Sequence, residues 1–325
     1  TPSSMPPESS THDGRLKKNG AVIEHAADAI QTWQPGYLNT AGGVVQVQGT
    51  ATQVGATFLN CKRGLWFWPY QNFNPSNPNQ LRTNLSYFNY AEFKVDNNYR
   101  GTNDFEAHAT MIGVDGIFYR ACLFENTQTG PTLSSQLGIG VRSLNANYTV
   151  TGQCTQPPQQ GMPCAPQHLR RGMFKGLRHG IHALDGGTGR SFIADLLRFE
   201  NNVVGVYANG LPGFNVTRNE FVLGDRNVTL NGTEEAGFQE LYHRAISTQQ
   251  CHGFRIEENT ISPAGSVTAL GVAGIVIENS GANSTQVYKN SASGLNIGYV
   301  GEGYCADPNL AFAVGLQFLC NTNSG

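Results

Sequence analysis

RFENNVVGVYA, from Arg198 to Ala208, sets Asn201 four residues ahead of Gly205 between two short apolar runs. The same phrase returns in TFLNCKRGLWFW (Thr57 to Trp68), with Asn60 and Gly64, and in VYKNSASGLNIG (Val287 to Gly298), with Asn290 and Gly294. Equal spacings in unlike contexts mark a repeating structural unit. Half-phrases extend it, among them LFENT around Asn126, NVTRNEF around Asn219, FRIEENTI around Asn259 and FLCNT around Asn321. Gly-led strand starts stand at Gly138, Gly180, Gly274 and Gly315. Each run is too short to bury a face alone, so successive units must stack, building one continuous core. The expected fold is all-β: a right-handed parallel β-helix, the hand being the one that parallel crossovers take.

Within such a coil, Asn60, Asn201 and Asn290 are read as structural turns. Asn tolerates left-handed backbone, and its amide can bond the chain or a stacked Asn in the next coil. Gly64, Gly205 and Gly294 are read as the other sharp corners. Around Val216 and Phe221 the strands alternate imperfectly between apolar and polar residues, as half-buried strands do. The stretch AVIEHAADAIQTW (Ala21 to Trp33) is read as two short coil strands joined by a turn rather than as a helix. The competing architecture, a β-sandwich with Asn-rich turns, would need two-residue hairpins, which only Asn19-Gly20, Asn209-Gly210 and Asn231-Gly232 offer.

One β-helical segment is expected over 1–325, with polar or Pro-rich loops inserted near 68–84, 151–167 and 225–237. The final GLQFLCNTNSG stops just after a coil Asn, which predicts that the segment belongs to a longer chain. Charged residues make up 14% of the sequence and the formal net charge is −2, with no Lys/Arg-rich run to neutralise phosphates. Nucleic acid is therefore not an expected partner. No apolar run approaches the roughly 18 residues of a membrane span.

The Cys count of seven is odd. Cys154 and Cys164 flank TQPPQQGMP, a short loop of the kind a disulfide closes. Cys61, Cys122 and Cys320 sit in apolar runs, where Cys behaves as a small hydrophobe. Neither CxxC nor a Cys/His cluster at ligand spacing is present, so no metal site or cofactor is expected. Calcium would need an acidic loop of recognisable spacing, and none occurs.

The segment from Lys18 to Tyr70, which contains NGAVIEHAADAIQTW, resembles a recurrent module of large secreted Bacteroidota proteins, and the later coils through GLQFLCN resemble the same family. The resemblance implies a right-handed parallel β-helix on a secreted or cell-surface protein, exported as type IX secretion cargo through outer-membrane machinery. It implies no catalytic residues.

Parallel β-helices also host enzymes that act on polysaccharides, although fold alone does not make one. Arg178-His179-Gly180 and Arg255-Ile256-Glu257 partly match polygalacturonase-like motifs, but the Asp-Asp and Asn-Thr-Asp elements are missing. Glu234-Glu235 and Glu257-Glu258 are adjacent, so strand geometry points the members of each pair to opposite faces. The best remaining cluster is Arg178, His179, His182, Asp185 and Arg190. Here His182 projects outward from its strand, and with Asp185 and Arg178 it could bind an anionic sugar or act as a base. The bland alternative is a solvated outer face with a turn. A looser set comprises Asp104, His108 and Asp115. His243, Arg244 and His252 are expected at the surface.

Trp66, Trp68 and Tyr70 gather beside a Pro/Asn loop and could stack on sugar rings as a carbohydrate-binding surface. Alternation buries either Phe67 or the Trp pair flanking it. The sequons at Asn84, Asn147, Asn215, Asn227, Asn231 and Asn283 are read as coil-turn chemistry. The leading functional expectation is a structural or adhesive segment that contacts polysaccharide or a cell-surface glycan. The alternative is a polysaccharide-active lyase or glycoside hydrolase.

Overall fold

The computed structural model describes residues 15–18, 20–32, 44–68, 72–74, 77–82, 85–156, 164–224, 228–229, 243–265, 271–280, 285–306 and 315–324. Three long parallel sheets contain ten, ten and nine described strands, and each sheet takes its strands strictly in chain order. That order defines a solenoid, since the chain visits the first, second and third sheet in turn before stacking the next rung. The molecule is a parallel β-helix. One rung consists of Phe192–Asp195, Leu197–Glu200 and Val204–Asn209. The next places Val216 on Ala194, Phe221 on Phe199 and Ile246 on Val206. Ala21–Glu24 and Asp28–Gln31 are two strands around a turn at His25.

Stacking in register puts like side chains over one another inside the coil. The second sheet's inward Phe58, Phe93, Phe124, Phe174, Phe199 and Phe221 form a column with ring centroids 4.6–5.0 Å apart and nearly parallel planes. Offset aromatic pairs at this spacing add to the burial of the rings themselves. The column needs a flat wall opposite, which the third sheet supplies. A Cβ on Gly140, Gly180 or Gly205 would lie 2.5–2.6 Å from a backbone carbonyl of the next rung and 2.6–2.7 Å from Phe174, Phe199 or Phe221.

This changes the role of the repeated glycine. Gly64 and Gly205 have no positive φ and are flat strand sites pressed against the aromatic column, not corners. Gly294, at φ +64°, does turn a corner. The equal Asn-to-Gly spacing thus merges two different places in the coil. Asn60 and Asn201 are left-handed, at φ 53° and 55°, where the chain leaves the second sheet. Asn290 lies at the turn from the first sheet to the second, where Lys289 is the left-handed residue.

At that turn a left-handed residue is followed by a buried one. Ala121-Cys122, Leu196-Leu197, Arg218-Asn219, Glu258-Asn259 and Lys289-Asn290 are examples. Cys122 and Cys61 are buried, but Cys320 is exposed because it takes the left-handed, outward place itself, at φ 54°. From Asn219 through Asn259 and Asn290 to Asn321 the inward place carries a ladder of side-chain amides.

The inserted stretches differ in their described parts. Asn72–Asn74 pairs with Asn77–Arg82 in an antiparallel ribbon outside the three sheets. A disulfide joins Cys154 to Cys164 beside a second small antiparallel pair, Gln153–Cys154 with Leu169–Arg170. Thr229 bridges Leu133; most of 225–237, with Asn227, Asn231, Glu234 and Glu235, lies outside the described residues, as do Asn84 and Asn283. Asn147 and Asn215 begin strands. Among the described residues, no helix is long and apolar enough to cross a membrane.

Candidate functional site

The outer face of the third sheet carries the chemistry. In His179–Leu184, Ile181 and Ala183 enter the main core, so His182 and Leu184 face outward, as alternation requires. His182 is nevertheless only 5% exposed. The turn Ser134–Leu137, bonded to Thr229 through the Ser134 amide, packs on this face through Leu137, which makes a small apolar cluster with Val203, Val204 and Tyr207. The rings of His179 and Tyr207 lie 4.8 and 5.1 Å from that of His182. Burial holds His179 well below the usual histidine range, with His182, Arg178 and Arg244 acting in the same direction.

Beside this covered patch the chain between the second and third sheets of one rung bulges into a loop from Asp96 to Glu106. Asn60 and Asp96 clamp its start through reciprocal 2.9 Å bonds. The Asn98 amide and the Asn60 side chain also hold the Asp96 carboxyl below the ordinary carboxylate range. The Tyr99 hydroxyl donates to the Asn103 carbonyl, and Phe105 plugs into the core. The loop forms one wall of a cleft of about 590 Å³, lined by Lys62, Asp104, Glu106, Arg142, Arg178 and His182 among others. Glu106 ties the wall to the sheet, with its oxygens 3.4 Å from both Arg63 and Arg142 and 3.8 Å from Lys62.

The structure therefore brings Arg178, His182 and Asp104 together from two separate sequence clusters and leaves their companions elsewhere. Asp185 accepts bonds from the amides of Thr188 and Gly189 and from the Thr188 hydroxyl, which closes a tight turn and takes up the carboxylate that the sequence sets beside His182. Arg190 pairs with Asp115 at 2.8 Å and donates to the Asn145 carbonyl. His108 points inward, packed near Phe93, Phe105 and Phe124, with Nε2 3.0 Å from the Glu125 carbonyl.

Burial lowers the His108 pKa from 6.5 to about 3. The unfolded chain then takes up a proton more readily than the folded one. The stability held by neutral His108 is complete above 6.5 and drains as pH falls from 6.5 toward 3. By about pH 5 the loss should reach about 2 kcal/mol. Urea unfolding near pH 7.5 and near pH 5 should show a His108→Met variant losing less stability than the parent by about that amount. Equal losses would refute the assignment.

His243 and Arg244 are buried rather than at the surface, Arg244 being stacked on Val204 of the small apolar cluster; His252 is exposed. Glu257 pairs with Arg255 at 2.8 Å, while Glu258 turns a corner at φ 54°.

The aromatic residues lie on the same outer face. Phe67 is in the core, while Trp66 and Trp68 are half-buried outside it, stacked at 4.9 Å, with the Arg63 guanidinium 3.8 Å from the Trp66 ring centre. Tyr70 lies outside the described residues. Cross-rung register aligns Trp66, Thr110, Arg142 and His182 in one row. Two strand spacings put Trp66 about 10 Å along that row from Arg142. The cleft and the tryptophans therefore share one strip of surface. Lys62, Glu106 and Arg142 escape a sequence reading because they are neighbours only across rungs; knowing the rung register would have aligned them. Among the described residues, no three His, Cys, Asp or Glu side chains are grouped to hold a metal ion.

No family model and no curated protein matches the chain. Two solved structures are similar to it. One is the Streptococcus pneumoniae surface protein and adhesin PfbA, at 9% identity and TM-score 0.35, with 96% of this chain and 90% of that one covered. The other is a glycoside hydrolase, at 11% identity and TM-score 0.27, with 87% of this chain and 51% of that one covered. Neither likeness bears on what this chain does.

Proposed function

We propose that the chain is a structural, adhesive segment of a secreted cell-surface protein that contacts carbohydrate through the cleft beside the Asp96–Glu106 loop and does not cleave it. The observation that supports this reading is the convergence of Asp104, Arg142, Arg178 and His182 on one polar cleft, in line with the stacked tryptophans, on a rigid solenoid wall. Carboxylates and guanidiniums can bond sugar hydroxyls, and an indole face can stack on a sugar ring. Glycoside hydrolysis asks for something else, a pair of carboxyl groups at fixed separation with one serving as acid. The cleft offers Asp104 and Glu106, but both Glu106 oxygens are engaged by arginines.

Incubating the chain with neutral and acidic polysaccharides, while following binding and the release of new reducing or unsaturated ends, tests the proposal. Binding without new ends is the expected result. Cleavage that disappears in Asp104→Asn would replace it with the polysaccharide-active reading, and absence of all binding would remove the carbohydrate role. Secretion agrees with the Cys154–Cys164 disulfide, a bond suited to oxidising compartments. The finer proposal, export from a Bacteroidota cell as type IX cargo, rests on the resemblance of Lys18 to Tyr70. Its test is whether the protein stays cell-associated when that export machinery is deleted.

A further inference from the structure

Next to the main cleft lies a second lobe of about 310 Å³, and Lys62, Thr102 and Asn103 line both, so the two form one continuous depression. Their charges differ. The larger lobe mixes Asp104 and Glu106 with Arg142, Arg178 and His182. The smaller is lined by His25, Lys62, Arg63 and Arg100, and no carboxylate lines it among the described residues. In a chain of formal net charge −2 this is a local concentration of positive charge.

The four basic groups are not equivalent. Arg63 is bound by Asp28 through two bonds, at 2.5 and 3.0 Å, and reaches Glu106 as well. His25 lies 3.1 Å from Glu24. Lys62 has only the distant Glu106, at 3.8 Å. Arg100 is exposed, and no described carboxylate lies within ion-pair distance of it. Lys62 thus keeps one long contact, to Glu106, and Arg100 has no carboxylate partner among the described residues.

We infer that the ligand of this depression is an acidic oligosaccharide whose carboxylate or sulfate group sits in the smaller lobe between Lys62 and Arg100, with its neighbouring sugar in the larger lobe. The inference rests on the carbohydrate reading proposed above and adds the ligand's charge and direction. The reverse placement would set the anion against Asp104. In the stated direction Asp104 and the guanidiniums of the larger lobe meet hydroxyls, which can both donate and accept. A fixed anion held by two cations is a charge-assisted contact, stronger than a hydroxyl bond and weakened by salt.

Calorimetric titration with three hexasaccharides tests it: one carrying carboxylates, one carrying sulfates and one neutral. At low ionic strength at least one acidic hexasaccharide should bind about ten-fold or more tightly than the neutral one. Arg100→Gln, a change at an exposed loop position, should remove about ten-fold of that affinity and flatten its salt dependence, a larger loss than it causes for the neutral hexasaccharide. Whichever acidic arm binds identifies the acid group. If the neutral hexasaccharide binds as well as both acidic ones, or Arg100→Gln changes nothing, the charge assignment falls while the carbohydrate reading stands. If none of the three binds, both fall.

Discussion

Gly180→Ala should destabilise the protein by about 3 kcal/mol, the upper end of what overpacking a core ordinarily costs. The added methyl carbon would stand 2.6 Å from the Gly205 carbonyl and 2.7–2.8 Å from the Phe199 ring. Neither neighbour can yield cheaply. The carbonyl belongs to the parallel ladder of the next rung, and Phe199 is held between Phe174 at 5.0 Å and Phe221 at 4.6 Å. Moving one ring would displace its neighbours, because a densely packed column transmits strain. Gly180 does not have positive φ, so alanine meets no backbone penalty there and the whole loss comes from contact. Gly130→Ala is the control: it also lacks positive φ, has nothing within 4 Å, and should change stability by less than about 0.5 kcal/mol. Urea unfolding of both variants decides the matter, and a Gly180→Ala protein as stable as the control would show that the glycine wall is not required.

That glycine wall also shows how far the sequence could be read. The coil phrase announced a stacked solenoid because stacking repeats like residues at like places, and the turns at Asn60 and Asn201 followed from the backbone that Asn tolerates. Gly64 and Gly205 resisted the same reasoning. Their requirement arises from Phe93 and Phe221 across the coil, and local chemistry cannot separate a glycine needed for its torsion from one needed for its emptiness. The site was legible in fragments for a related reason. His182 was placed on the outer face by alternation, but it is buried there against the rings of His179 and of Tyr207, which only the next rung supplies. Asp185 looked like its partner by proximity in sequence, yet the Thr188 and Gly189 amides claim it locally. Arg142, its true neighbour in the row, is brought alongside only by rung register.

The inward corner between the first and second sheets leads to the other large effect. Asn259 is fully buried; its Oδ1 accepts from the Asn219 backbone amide at 2.9 Å and from the Asn219 side chain at 3.0 Å, while its Nδ2 donates to the Val216 carbonyl and to Asn290 Oδ1, both at 2.9 Å. Asn259→Ala strips one rung from the amide ladder and leaves the Asn219 backbone amide without that acceptor in a site closed to water. Each such orphaned group costs about 1–3 kcal/mol, so a total of about 3 kcal/mol is expected. The backbone itself should not object, since Ala91 is buried immediately after the left-handed Tyr90 at the same corner of an earlier rung. Asn259→Asp separates the two halves of the interaction. It keeps an acceptor for Asn219 but turns an acceptor, and a buried charge, toward Val216 and Asn290, so it should destabilise more than alanine does. If alanine costs under about 1 kcal/mol, or aspartate proves the milder change, the ladder is packing that happens to be polar; the expected order, aspartate worse than alanine, would make its hydrogen bonds the force that joins these rungs.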